Sequence, residues 1–111
     1  MRAGRLRHRI TIQRSTPGRG DAGERLDVWS DIATVWAAIR TISDEERSDK
    51  LSVDITATHV ITIRHQHVLD DISPRDRIVH EDKTYHIIDV VNVGERDRQI
   101  DMRCVRRYRD E

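Results

Sequence analysis

The sequence predicts a mainly β protein, a small antiparallel β-barrel or sandwich of about six strands with one short helix. Three observations carry this. Apolar residues recur with a period of two in most segments, which is the strand signature. The segments are short and separated by turn residues, and short successive strands in 111 residues hide their edges by closing on themselves. Only 36% of the residues are hydrophobic and none is Phe, so the chain can build one thin core of Ile, Val and Leu. No internal repeat or composition shift divides it, and residues 1–111 read as a single domain.

Taken in order, Leu6, His8, Ile10 and Ile12 alternate with Arg5, Arg7, Arg9, Thr11 and Gln13. That pattern predicts a first strand with one apolar and one arginine face. Pro17, Gly18, Gly20 and Gly23 predict a long loop, mobile over residues 15–28. Ile32 to Ile42 is apolar at nearly every position, as in a strand buried on both sides or strongly coiled, with Trp36 in the core. Ser43-Asp44-Glu45-Glu46 has the form of a capping box, Ser43 as N-cap and Glu46 reaching back. A short helix to Leu51 is expected there, within a second mobile loop at residues 41–54. Val53, Ile55, Ala57, His59, Ile61 and Ile63 then share one face of a long half-buried strand, and Val60 is the apolar exception on the other. Asp70 to Pro74 is a turn. Arg77 to His80 and Tyr85 to Val93 flank Glu81-Asp82-Lys83 as a hairpin. After a turn at Gly94 to Arg98, a last strand from Gln99 to Val105 directs Ile100, Met102 and Cys104 inward.

Twenty basic and twenty acidic residues cancel, so no global field points to nucleic acid or a membrane surface. The distribution is uneven. The N-terminal stretch carries Arg2, Arg5, Arg7, Arg9, Arg14 and Arg19 with no acid before Asp21. Residues 43–54 carry Asp44, Glu45, Glu46, Asp49 and Asp54 against Arg47 and Lys50. A basic segment and an acidic one suit a subunit that contacts its own copies, although codon bias alone also enriches arginine. Arg5, Arg7 and Arg9 fall roughly 6–7 Å apart on one strand face, near the spacing of phosphates along a nucleic acid. The same stripe can equally face the acids of a neighbouring subunit. Trp29 follows the first mobile loop and is a candidate docking anchor.

Residues for catalysis or metal binding are sparse. His59, His65 and His67 share strand parity, but no Cys pair, HExxH or ordered carboxylate set accompanies them, so histidines on a partly exposed strand are expected. Cys104 takes an inward position, where a thiol acts as a small hydrophobe. No serine sits on a GxSxG elbow, and Gly18-Arg19-Gly20 lacks the lysine and helix of a phosphate loop. Neither an enzyme, nor a cofactor, nor a metal is expected. No apolar run reaches the ~18 residues of a membrane span, and the basic start leads into no apolar signal region. One cysteine makes no internal disulfide, in keeping with a reducing compartment.

Gly4-Arg-Leu-Arg-His-Arg-Ile-Thr-Ile-Gln-Arg14 resembles the opening of the phage head–tail joining proteins, also called head-closure or stopper proteins. Ala33-Thr-Val-Trp-Ala-Ala-Ile39, Thr58-His-Val-Ile-Thr-Ile-Arg64, Asp76-Arg-Ile-Val79, Tyr85-His-Ile-Ile-Asp-Val90 and Gln99-Ile-Asp-Met-Arg-Cys104 are similar in order and spacing. Asp82-Lys83 departs from the glycine turn usual there. The resemblance implies a virion protein of a tailed phage or prophage, assembled in the bacterial host cytoplasm and located at the head–tail interface. It implies a β-barrel that forms a ring, a dodecamer in the virion, below the portal or its adaptor. Such a ring seals the DNA-filled capsid and docks the tail. Its partners would be other copies of itself, the portal or adaptor, a tail terminator or tail protein, and the double-stranded DNA in its channel; no membrane is involved. On this reading Arg5, Arg7, Arg9, Arg14, Arg19 and Trp29 are candidate subunit contacts. Asp44, Glu45, Glu46 and Asp49 are candidates for a loop that lines or gates the channel. The alternative is a stand-alone OB- or SH3-like nucleic-acid-binding barrel, and a third reading is a metal-dependent enzyme using the histidines.

Overall fold

The structure, a computed structural model, describes residues 6–43, 57–95 and 98–107. Over these residues the chain forms β1 (His8–Arg19), β2 (Arg25–Thr41), β3 (His59–Arg64), β4 (Asp76–His80), β5 (Lys83–Asn92) and β6 (Gln99–Arg107). Every pairing is antiparallel, and the order β1-β2-β3-β6-β5-β4 closes because β4 returns to β1. The barrel is one of the two β architectures that the alternating pattern predicts.

Alternation decides what lies inside. Ile10 and Ile12 of β1, Val35 and Ala37 of β2, Ile61 and Ile63 of β3, and Ile78 of β4 are buried in one cluster. Tyr85 and Ile87 of β5 and Ile100, Met102 and Cys104 of β6 complete the wall, while Leu69 and Ile72 join from the β3–β4 connection. Each large aliphatic side chain removed from water contributes about 1.5–3 kcal/mol, so a core without Phe suffices for a barrel this small. Val60, the apolar exception on the outer face of β3, is covered too. Ile42, Ala57 and Ile88 bury it in a second, smaller cluster outside the barrel. Thr58 secures that corner: its N–H donates to the Cys104 carbonyl (2.8 Å), and its Oγ1 accepts from the Arg106 N–H (2.9 Å).

Three expectations need correction. Ile32 to Ile42 is not buried on both sides: Val35 and Ala37 point inward, so Trp36 between them points out and is half exposed. The strand ending at Arg64 begins at His59 rather than Val53, since residues 57–58 are not strand and residues 53–56 lie outside the described ones. The acidic segment of Asp44, Glu45, Glu46 and Asp49, with the helix expected to Leu51, lies outside the described residues, as does Arg5.

The third correction is the largest. Most of residues 15–28 is strand rather than loop: β1 runs on to Arg19 and β2 starts at Arg25, paired from Ser15↔Trp29 to Arg19↔Arg25. A turn at Gly20–Glu24 joins them, with Gly23 at φ 83° in the left-handed region that glycine enters freely. β1 pairs with β4 only over Thr11–Arg14, and β2 pairs with β3 only from Ala37. Beyond those limits the hairpin is a two-stranded ribbon with no third strand beside it among the described residues. Five residue pairs carry it ~17 Å past the barrel. A bulge marks its root, where the register shifts between Ile12 and Gln13 and leaves Ile32 without a partner.

The β4–β5 hairpin turns at Glu81-Asp82, and Glu81 takes φ 58°, a region usually left to Gly or Asn. The left-handed residue demanded by this tight turn is therefore Glu81, just before the pair flagged in the sequence.

Candidate assembly interface

β1 positions the candidate arginines, and the structure separates them into different roles. Arg7 and Arg9 lie exposed at the start of β1, on the outward side that alternation assigns them. Arg9 sits directly across from Trp36 in the β1–β2 register, and its guanidinium lies over the indole, 5.1 Å from the ring centroid. A cation over an indole face is attracted by the ring quadrupole, worth about 0.5–1 kcal/mol at exposed sites. Trp36, expected in the core, is instead the exposed aromatic of this surface.

Arg14 is committed within the chain. Its Nε and Nη2 donate to the two carboxylate oxygens of Asp76 (2.8 and 3.0 Å), and its Nη1 donates to Asp71 (3.0 Å). Asp76 is 1% exposed and also accepts from the Ser73 N–H (3.2 Å). These bonds hold Arg14 protonated well above the ordinary arginine range. Arg14 also holds the Asp71 carboxyl below its usual value. The arrangement ties the root of the hairpin to the β3–β4 connection. Asp76 shares parity with the inward Ile78, and an acid at an inward position needs a partner; that pattern was the available signal for this pair.

Trp29 is half-buried at the base of the ribbon. The Arg77 guanidinium covers it at 4.0 Å, while Arg77 Nε donates to Gln13 (2.8 Å) and Gln13 donates to Asp31 (2.8 Å). Burial pushes the Arg77 pKa below its ordinary value. The indole is thus an anchor already in use on one side, with Arg77 as a partner that the sequence did not single out. Arg19 is exposed near the tip of the ribbon, where its guanidinium donates to the Gly23 carbonyl (3.2 Å).

An open cleft of about 500 Å³ lies beside the Arg9–Trp36 pair, lined by Leu6, Val35, Trp36, Arg64 and Gln66. The histidines of shared parity separate. His65 and His67 both meet Asp70, while His59 packs edge-on to Tyr85. Among the described residues no group of three or more His, Cys, Asp or Glu side chains is placed to hold a metal ion. Burial pushes the Cys104 thiol up to about 12, as expected for a thiol inside the wall. No described helix is long and apolar enough to cross a membrane.

Comparison with known proteins places this geometry. The chain is similar over 95% of its length to the solution structure of protein SF1141 from Shigella flexneri 2a, covering 96% of that chain with 31% identity and a TM-score of 0.71. It also shares its fold with a chain of the virion of a native gene transfer agent particle, at 19% identity and a TM-score of 0.65, covering 94% and 96% of the two chains. No curated protein matches. The family model of phage head completion proteins matches residues 1–107. With that match spanning barrel, ribbon and connections alike, the chain belongs to the phage head completion protein family and is a structural protein of the phage head, located in the virion.

Proposed function

We propose that this protein is a ring-forming head–tail connector that closes the DNA-filled capsid below the portal or its adaptor and offers the tail its docking surface. The observation that carries the reading is the ribbon of residues 15–28, which leaves the barrel and pairs with no further strand among the described residues. A two-stranded ribbon in water is marginal by itself, so an arm of this kind is suited to completion by a neighbouring subunit. Exposed Arg7, Arg9 and Arg19 are its candidate contacts, with Arg5 of the same alternation. Arg14 serves the fold, and Trp29 stiffens the arm's root beneath Arg77.

The segment joining β2 to β3 is the candidate for the channel. Its ends are fixed at Thr41 and His59, and its sequence carries Asp44, Glu45, Glu46 and Asp49. Repeated around a ring, those acids form a negative circle that repels phosphate and keeps passing DNA from sticking. The portal or adaptor, a tail protein and the DNA itself are the partners on this reading.

Deleting the protein from its phage or prophage tests this reading. The expected particles are filled heads that lack tails and lose DNA, with the wild-type chain restoring both. Intact tailed particles, or a failure to form heads at all, would refute it.

A further inference from the structure

We infer that the ribbon of one subunit seats its apolar face in the Trp36 cleft of the next copy. The inference rests on the ring reading and names the contact that builds the ring.

The two halves of the contact are both present on one chain and cannot meet within it. Leu26 (47% exposed) and Val28 (53% exposed) lie on one face of the ribbon, because cross-strand partners share a face and these two pair with Gly18 and Thr16. Gly18 keeps that face flat. A Cβ there would stand 2.6 Å from Val28 Cγ2, so the valine lies over the glycine backbone. Two half-exposed aliphatics on a projecting ribbon form an apolar stripe that the monomer leaves in water.

The receptor has the complementary character. Leu6, Val35 and Trp36 give the cleft apolar walls, and its volume of about 500 Å³ exceeds what one aliphatic side chain fills. Its surroundings are basic: Arg64 lines it, Arg9 covers one face of Trp36, and Arg7 is exposed alongside in sequence. Residues 19–27 at the ribbon tip carry three exposed acids, Asp21, Glu24 and Asp27, against Arg19 and Arg25, so acids are in the majority there. An acidic, apolar-faced arm therefore matches a basic-rimmed apolar cleft in both chemistry and charge. Leu26 and Trp36 are ten residues apart on one continuous strand, roughly 30 Å, so a subunit cannot fill its own cleft. An arm-to-cleft contact is head-to-tail, the kind that generates closed rings.

The test is made in assembled particles carrying the double substitution Val28→Cys and Gln66→Cys, which places one thiol on the arm and one on the cleft. Cys104 is buried and stays out of the reaction. Mild oxidation should give a ladder of covalent multimers up to the full ring, whereas either single substitution gives none. Independently, Glu24→Arg with Asp27→Arg should lower incorporation into particles at least tenfold, and adding Arg64→Glu should recover most of it. All these positions are exposed, and unchanged thermal melting of the purified variants establishes that they fold. Rings that assemble normally, without a cross-linked ladder and without a response to charge reversal, would overturn the arm-to-cleft contact and leave the ring reading standing. A wild-type chain found in particles as isolated copies would overturn both.

Discussion

Arg14 shows how a single side chain can decide between fold and interface. With Asp76 1% exposed and its carboxylate gripped through two guanidinium nitrogens, removing the arginine leaves a buried acid without its cation. Breaking such a pair from one side typically costs about 3–5 kcal/mol. Asp71 and the partly exposed position of Arg14 reduce that, so Arg14→Met should destabilise the domain by about 2–4 kcal/mol. The midpoint of thermal unfolding should then fall by more than ~10 °C. Adding Asp76→Leu should recover part of the loss, and an unchanged melting temperature for the single variant would contradict the assignment. The histidines set a pH dependence. Burial holds the pKa of His59 and of His80 below the ordinary value, and His80 Nδ1 is buried with no hydrogen-bond partner among the described residues. The unfolded chain therefore binds protons more readily near pH ~6.5, and stability falls as pH drops through the folded pKa values. Thermal melts should show a lower midpoint at about pH 5 than at about pH 7.5, and His80→Asn should shrink the difference. The inward parity of Asp76 was a signal present in the sequence, but its pairing with Arg14, expected as a subunit contact, was not legible there. Nor was Arg77 over Trp29, because stacking across strands depends on a register that one sequence does not state.

Individual elements were legible where one face meets the core. β4, β5 and β6 lie within a few residues of their expected places because each alternates a buried aliphatic with a polar residue, as in Ile100, Met102 and Cys104. The ribbon was not legible for the converse reason. Residues 15–28 are largely exposed on both faces, so no alternation separates strand from loop, and Pro17 and three glycines favour the loop reading. Trp36 was misplaced because a run of apolar residues hides its own parity. Pairing on one side only also sets the ribbon's dynamics. Its backbone hydrogen bonds open without disturbing the barrel, so amides of residues 15, 16, 18, 19 and 26–28 should exchange at least tenfold faster than those of β3 and β6 in the free subunit. Equal protection across ribbon and barrel would show that the arm is already rigid before assembly.

For the whole molecule, the cancelled net charge conceals an arrangement suited to assembly: an acidic arm tip, a basic cleft and an acidic β2–β3 segment. The order of motifs made the family legible, while the arm-to-cleft complementarity required the three-dimensional placement of Leu26, Val28 and Trp36. On the channel reading Asp44, Glu45 and Glu46 would face solvent, where charges contribute little to stability, so replacing all three with Ser should leave the melting temperature within about 3 °C. The same change should alter retention or ejection of DNA by assembled particles, measured as nuclease-sensitive DNA released over time; normal release would remove the channel role from this segment. The central claim is the ring itself. Cryo-electron microscopy of DNA-filled particles tests it most directly. The account predicts a dodecamer of this barrel at the tail vertex, with each ribbon reaching the neighbouring subunit. Barrels spread over the capsid shell, or a neck built without this chain, would contradict it.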